Sequence, residues 1–169
     1  MRAAVSELSL IRGYDPIFRK KAQPVAAVDD AVRAAVARMF HILYEAGGIG
    51  LGANMVGSLD RIAVVDLQPE GVREPLAMIN PEITWQSDRE QTFTEASLCF
   101  PGVTAEVTRP DAIRVTYLDE AGERRDLEAA GWLAQVIQHE VDYLDGILFP
   151  DRLSRVKRDM AMRKIKKIR

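Results

Sequence analysis

Cysteine is all but missing from this chain: Cys99 is the only one, so no internal disulfide can form and a disulfide-stapled scaffold is excluded. No apolar run approaches the ~20 residues that a membrane-spanning helix requires. The opening segment, MRAAVSELSLIRGYDP, has polar residues breaking every apolar stretch within a few positions, which is not the layout of a secretory leader. A cytoplasmic protein without a membrane partner is therefore expected. Internal repeats, low-complexity tracts and linkers are also lacking. With 47% hydrophobic and 28% charged residues, the composition excludes a disordered or collagen-like chain.

What is there fits one unit. A chain of 169 residues can bury a core without staples, so residues 1–169 are expected to form a single domain. The formal charge of −2 is unevenly placed. Residues 152–169 hold nine of the 23 Lys and Arg and one of the 25 acids, leaving a body near −10 and a tail near +8. Such a tail suits an anionic partner, or simply a solvated helix whose cations complement its own dipole.

Val32, Ala35, Val36, Met39, Phe40 and Leu43 recur at three- and four-residue spacing, with Asp29 or Asp30 as cap and Gly47-Gly48 as stop. This pattern predicts an amphipathic helix. Segments 61–67, 76–86, 103–108 and 112–118 are β-branched or alternating and bounded by Gly, Pro and Asp, as strands are. Asp119-Glu120-Ala121-Gly122 predicts a hairpin leading into Arg124–Leu127. A second helix is expected over 129–144, ending at Asp145-Gly146, and a third, basic helix over about 152–168. In the third, Leu153, Val156, Met160, Ile165 and Ile168 would form the apolar side. Strands bunched between helices, without strict alternation, point to an α+β fold.

The chemistry concentrates on the second helix, in Gln138-His139-Glu140-Val141-Asp142-Tyr143-Leu144. In a zinc-hydrolase helix, histidines at i and i+4 share a face and hold the metal, while the intervening glutamate acts as general base. Here the second position is Tyr143. Taken alone the pair is weak, and a helix carrying His139 for packing explains it as well.

Two further segments change its weight: Gly48-Ile49-Gly50-Leu51-Gly52-Ala53-Asn54-Met55, and Glu95-Ala96-Ser97-Leu98-Cys99. With the helix they resemble, in order, the three motifs of peptide deformylases: G-x-G-L-A-A-x-Q, E-G-C-L-S and Q-H-E-x-D-H-L. The opening IRGYDPIFRKKAQPV and the closing ILFPDRLS resemble that family too. The resemblance implies antiparallel sheets around a central helix carrying the His-Glu motif, with a C-terminal helix. It also implies metal-dependent removal of formyl groups from nascent formylmethionyl peptides.

Carried over by position, the family's metal ligands fall on Ser97, His139 and Tyr143, and only His139 matches. The general acid and base corresponds to the retained Glu140. The glutamine that helps hold the transition-state oxygen corresponds to Met55, with the Leu98 backbone beside it. By the same resemblance Ile49, Gly50, Leu98, Trp132 and Val136 line the pocket for the terminal methionine; the plain alternative is that they pack the core. Ala96 adds a methyl beside that groove, and Asn54 occupies a variable position.

The family would use Fe(II), Zn or Ni, yet serine is a hard, weakly acidic replacement for thiolate, and a tyrosine of reference pKa ~10 stays neutral. No metal cofactor is therefore expected, and with it goes the hydroxide formed when a bound water's pKa falls from about 15.7 to about 7. The resulting expectation is a deformylase-like protein with little or no deformylase activity, binding peptide or, through residues 152–169, the ribosome. Two alternatives remain: an active deformylase releasing formate from N-formylmethionyl peptides, or a hydrolase with rearranged chemistry at Glu140, His139 and Cys99. On an extended strand Ser97 and Cys99 would project to one side ~6.6 Å apart, bringing Cys99 toward the site; otherwise Cys99 fills core space.

Overall fold

A computed structural model describes residues 3–169. Helix α1 (Asp30–Glu45) begins where Asp29 accepts the Val32 N–H at 2.9 Å, and buries Val32, Val36, Met39, Ile42 and Leu43 on one stripe. Five antiparallel strands form the main sheet in the order β1 (Gly50–Gly52), β2 (Ile62–Val65), β3 (Leu76–Gln86), β6 (Ala112–Leu118) and β7 (Arg124–Ala130). Strands β4 (Glu90–Ala96) and β5 (Thr104–Pro110) pair as a separate antiparallel ribbon. This is the α+β architecture expected, with a third helix, α3 (Arg155–Lys166), at the C-terminal end.

Helix α2 (Gly131–Leu144) is buried without interruption from Ala134 to Leu144, so it has no solvent face in its last three turns. It lies against strands of both the sheet and the ribbon. Its Ile137, Val141 and Leu144 pack with Ala63, Met78, Ile113 and Val115. On the opposite flank Tyr143 joins Phe18 and Phe100, whose rings meet edge to face with centroids 5.6 Å apart. A central helix enclosed this way can hold polar side chains only if they find partners within the protein.

Several local expectations need correction. Helix α2 starts at 131, not 129, because Ala129 and Ala130 pair with Ile113 and Ala112 at the end of β7. Strand β4, unforeseen, has the polar run EQTFTEA, and only its complete register with β5 makes it a strand. Residues 97–100 form a turn beyond β4, so Ser97 and Cys99 do not share the side of an extended strand. In α3 the buried residues are Ala161, Met162 and Ile165, whereas Val156 and Met160 are exposed. The hairpin between β6 and β7 forms as its residues imply: Asp119 accepts the Ala121 and Glu123 N–H groups at 2.9 Å, and Gly122 takes a φ of 79°.

Candidate active site

Strand β1, the turn after β4 and one flank of α2 enclose an apolar cavity of about 300 Å³. Ile49 and Gly50 come from one side, Leu98 from the second, Trp132 and Val136 from the third. The five residues expected to form a side-chain pocket are thus brought together, and Met55, Ser97, His139 and Glu140 line the same space. Tyr143 does not line it. Gly50 is required by close approach, since a Cβ there would stand 2.9 Å from Glu140 Oε1 and 3.1 Å from Val136 Cγ1.

Glu140 is 3% exposed, and its Oε2 has no hydrogen-bond partner among the described residues. Burial disfavours its charge, and the nearby Glu95 adds to the effect; its pKa is raised to about 7 despite the opposing influence of His139. A carboxyl group of that pKa can both take and give a proton near neutrality.

His139 is held from behind. Its Nδ1 pairs with Glu95 Oε1 at 2.6 Å, and its ring stacks on Phe149 with centroids 5.8 Å apart. Glu95 is in turn gripped by Arg109, through Nε at 2.7 Å and Nη2 at 2.9 Å, and by the Gln135 amide at 2.5 Å. Arg109 reaches on to Asp142 at 2.7 Å, and Arg152 closes the network on both Asp142 oxygens. Burial alone would raise the Glu95 pKa, but Arg109 and His139 together bring it down to about 2. Sequence reasoning assigned no role to Glu95, Arg109, Gln135 or Asp142. Only the lettering of the second and third motifs marked two of them, and nothing local ties Arg109 to either motif.

Ser97 and Tyr143 meet each other. Their hydroxyl oxygens lie 2.6 Å apart, and Ser97 Oγ also accepts the Cys99 N–H at 3.2 Å. Burial, first of all, lifts the Tyr143 phenol well above its ordinary pKa. Met55 has turned its sulfur inward, where it accepts the Gly52 N–H at 3.2 Å. Asn54 is not idle: its Nδ2 donates to the Tyr143 carbonyl at 2.7 Å and ties the turn after β1 to the end of α2. Cys99 is fully buried and absent from the cavity wall; burial, aided by Glu140, pushes its thiol up to about 12. That environment suits a packed side chain and not a nucleophile.

The residues present do not fit a catalytic transition metal. Two ligand oxygens on a tetrahedral ion at ~2.0–2.2 Å would stand about 3.4 Å apart, whereas Ser97 Oγ and Tyr143 Oη are at hydrogen-bonding distance. Among the described residues no group of three or more His, Cys, Asp or Glu could hold a metal ion.

The protein thus belongs to the α+β class, with an enclosed central helix that carries a buried carboxylate beside an apolar cavity. The sequence model of the polypeptide deformylase family matches residues 8–159, and the chain belongs to that family. A protein of Rhizorhabdus wittichii named peptide deformylase is 43% identical over 166 residues, covering 95% of this chain and 94% of its own length. One of Rickettsia conorii, named peptide deformylase-like, is 50% identical over 158 residues, covering 94% and 86%. Among solved structures, the peptide deformylase of Ehrlichia chaffeensis superposes with a TM-score of 0.87 at 35% identity, covering 95% of each chain. That of Synechococcus elongatus in complex with actinonin gives 0.86 at 38%, covering 93% and 86%.

These relatives overturn the expectation of little or no deformylase activity. Chains 42–43% identical over nearly the whole length carry the name peptide deformylase, which favours the active alternative. The expectation of inactivity ran through the replaced metal ligands and Met55; the cavity and the buried Glu140 stand on the other side.

Proposed function

We propose that this protein is a peptide deformylase that hydrolyses the formyl amide of N-formylmethionyl peptides, using its own side chains without a metal cofactor. The observation that carries the reading is Glu140: a 3% exposed carboxyl of pKa about 7, set beside an apolar cavity of about 300 Å³. The unbranched methionine side chain suits walls made by Ile49, Leu98, Trp132 and Val136. In its ionised form Glu140 takes a proton from the attacking water as the water oxygen bonds to the formyl carbon. The C–N bond then breaks, Glu140 returns the proton to the departing amine, and formate and a free N-terminus result. His139 is fixed through Nδ1 by Glu95, which leaves its Nε2 4.0 Å from Glu140 Oε1.

The substrate would be met as it emerges from the ribosome, in the cytoplasm. Nine basic residues in 152–169 suit phosphate contacts, although Arg152 and Arg158 are committed to Asp142 and Asp151. No helix among the described residues is long and apolar enough to cross a membrane.

Formate release from formyl-Met-Ala-Ser by the purified protein tests the reading. Release should fall on the order of 10²–10⁴-fold in Glu140→Gln, the range expected for loss of a general acid-base group. No formate from wild type, or unchanged release by the variant, would overturn it.

A further inference from the structure

Hydrolysis of an amide builds negative charge on the carbonyl oxygen, and a site that works without a metal must supply a donor there. Met55 cannot, because a thioether sulfur has no hydrogen to give, so of the two groups the resemblance places there only the Leu98 backbone N–H can donate. A second donor emerges when the hydrogens on the pair behind the cavity are counted. Ser97 and Tyr143 carry one hydroxyl hydrogen each, and the 2.6 Å contact between their oxygens uses one. One O–H remains.

Burial decides which. Tyr143 is fully enclosed, with its ring among Phe18, Phe100 and His139, and no other acceptor partners its oxygen among the described residues. Were Ser97 the donor, the phenol hydrogen would be buried with no acceptor, the costlier of the two arrangements. With Tyr143 donating, Ser97 Oγ receives two hydrogens, from the phenol and from the Cys99 N–H at 3.2 Å. Both of its lone pairs are then occupied, and its own hydrogen is left to choose between the buried Cys99 sulfur, a weak acceptor, and a molecule in the cavity. Ser97 is half-buried and lines the cavity that Glu140 lines, so the second choice is open to a bound molecule.

We propose that the Ser97 hydroxyl, held by Tyr143 and the Cys99 N–H, is a side-chain hydrogen-bond donor to the formyl oxygen of the substrate, beside the Leu98 backbone. This deepens the deformylase reading and rests on it. Ser97 thereby becomes a catalytic residue and Tyr143 a positioning one, acting through the serine. The pair whose geometry turns a metal away offers a neutral donor in its stead. No covalent bond to Ser97 forms, since both lone pairs that could attack are engaged.

The test separates binding from turnover. Titration calorimetry would compare formyl-Met-Ala-Ser with Met-Ala-Ser for wild type, Ser97→Ala and Ser97→Thr. The formylated peptide should bind about tenfold more weakly to Ser97→Ala, while the unformylated one is unaffected and Ser97→Thr resembles wild type. In formate release, Ser97→Ala should lose on the order of 10²-fold in kcat, with Ser97→Thr keeping most of it. Equal affinities for the formylated peptide in wild type and Ser97→Ala, or an equal loss for both peptides, would overturn the assignment. If wild type shows the formyl-dependent binding that Ser97→Ala lacks, yet releases no formate, the donor stands and the hydrolase reading falls.

Discussion

At the scale of single residues, this site shows how far one enclosed position can move a common side chain. Glu140 and Glu95 are both 3% exposed carboxyls at one site, yet the first is raised to about 7 and the second lowered to about 2. The difference is partners. Glu95 has a bidentate guanidinium and an imidazole, whereas one Glu140 oxygen has none among the described residues. A raised folded-state pKa means that the folded protein holds the proton more tightly, so Glu140 favours folding at low pH. That contribution is lost as pH rises from the ordinary carboxylate value through about 7. Glu140→Gln, a neutral isostere, should therefore stabilise the protein above pH 7, by up to about 3 kcal/mol, and change little near pH 4. Thermal melts of both proteins at pH 4.5 and 8 would check it; equal shifts at the two values would refute the raised pKa.

At the scale of elements, α2 is kept in place by charge as well as by packing. Arg109, reaching from β5, joins Glu95 of β4 to Asp142 of α2, and both of its partners are buried. Breaking such a pair by removing one member is far more damaging than replacing all of it. Arg109→Ala should lose on the order of 3–5 kcal/mol in urea unfolding, leaving two acids without their shared cation. A loss under 1 kcal/mol would show that the ribbon and α2 hold together by apolar contact alone. Helix α3 behaves differently. Lys164, Lys166 and Lys167 are exposed at the C-terminal end of the helix, so Lys→Glu at all three should lower the melting temperature by a few degrees through the reversed dipole interaction and leave the fold intact. Ribosome co-sedimentation of wild type should weaken steeply with salt, with a log-log slope approaching one unit per phosphate contacted, and the variant should lose most of it. Identical sedimentation across a salt series would leave α3 without that role.

For the whole molecule, acid should be the weak side. Glu95, Asp66 and Asp151 all have lowered pKa values in the fold, each against the raising effect of burial and through the hydrogen bonds it accepts. Lowered folded-state values mean stability that is fully present above the ordinary carboxylate range and lost as pH falls toward about 2. A circular-dichroism titration should show cooperative unfolding in that window, shifted upward in Glu95→Gln. No acid transition in wild type above pH 2 would show that these partners contribute little.

Much of this was legible in the order of residues, for local reasons. The Asp29 cap and the 3.6-residue stripe define α1, Asp119 and Gly122 define a hairpin, and three ordered motifs identify the family. Periodicity, turn chemistry and motif spacing are properties of neighbours in sequence, and the chain displays them before it folds. Strand β4 was illegible because its polar residues become a strand only through pairing with β5. Arg109 was illegible for a similar reason, since its partners lie 14 and 33 residues away. Most consequential was Ser97 with Tyr143. By sequence they are two absent ligands 46 positions apart, and that absence suggested an inert site. Folding alone places their oxygens 2.6 Å apart and closes one of them off from the cavity. Distance and burial set the direction of a hydroxyl hydrogen, and neither exists until α2 is enclosed.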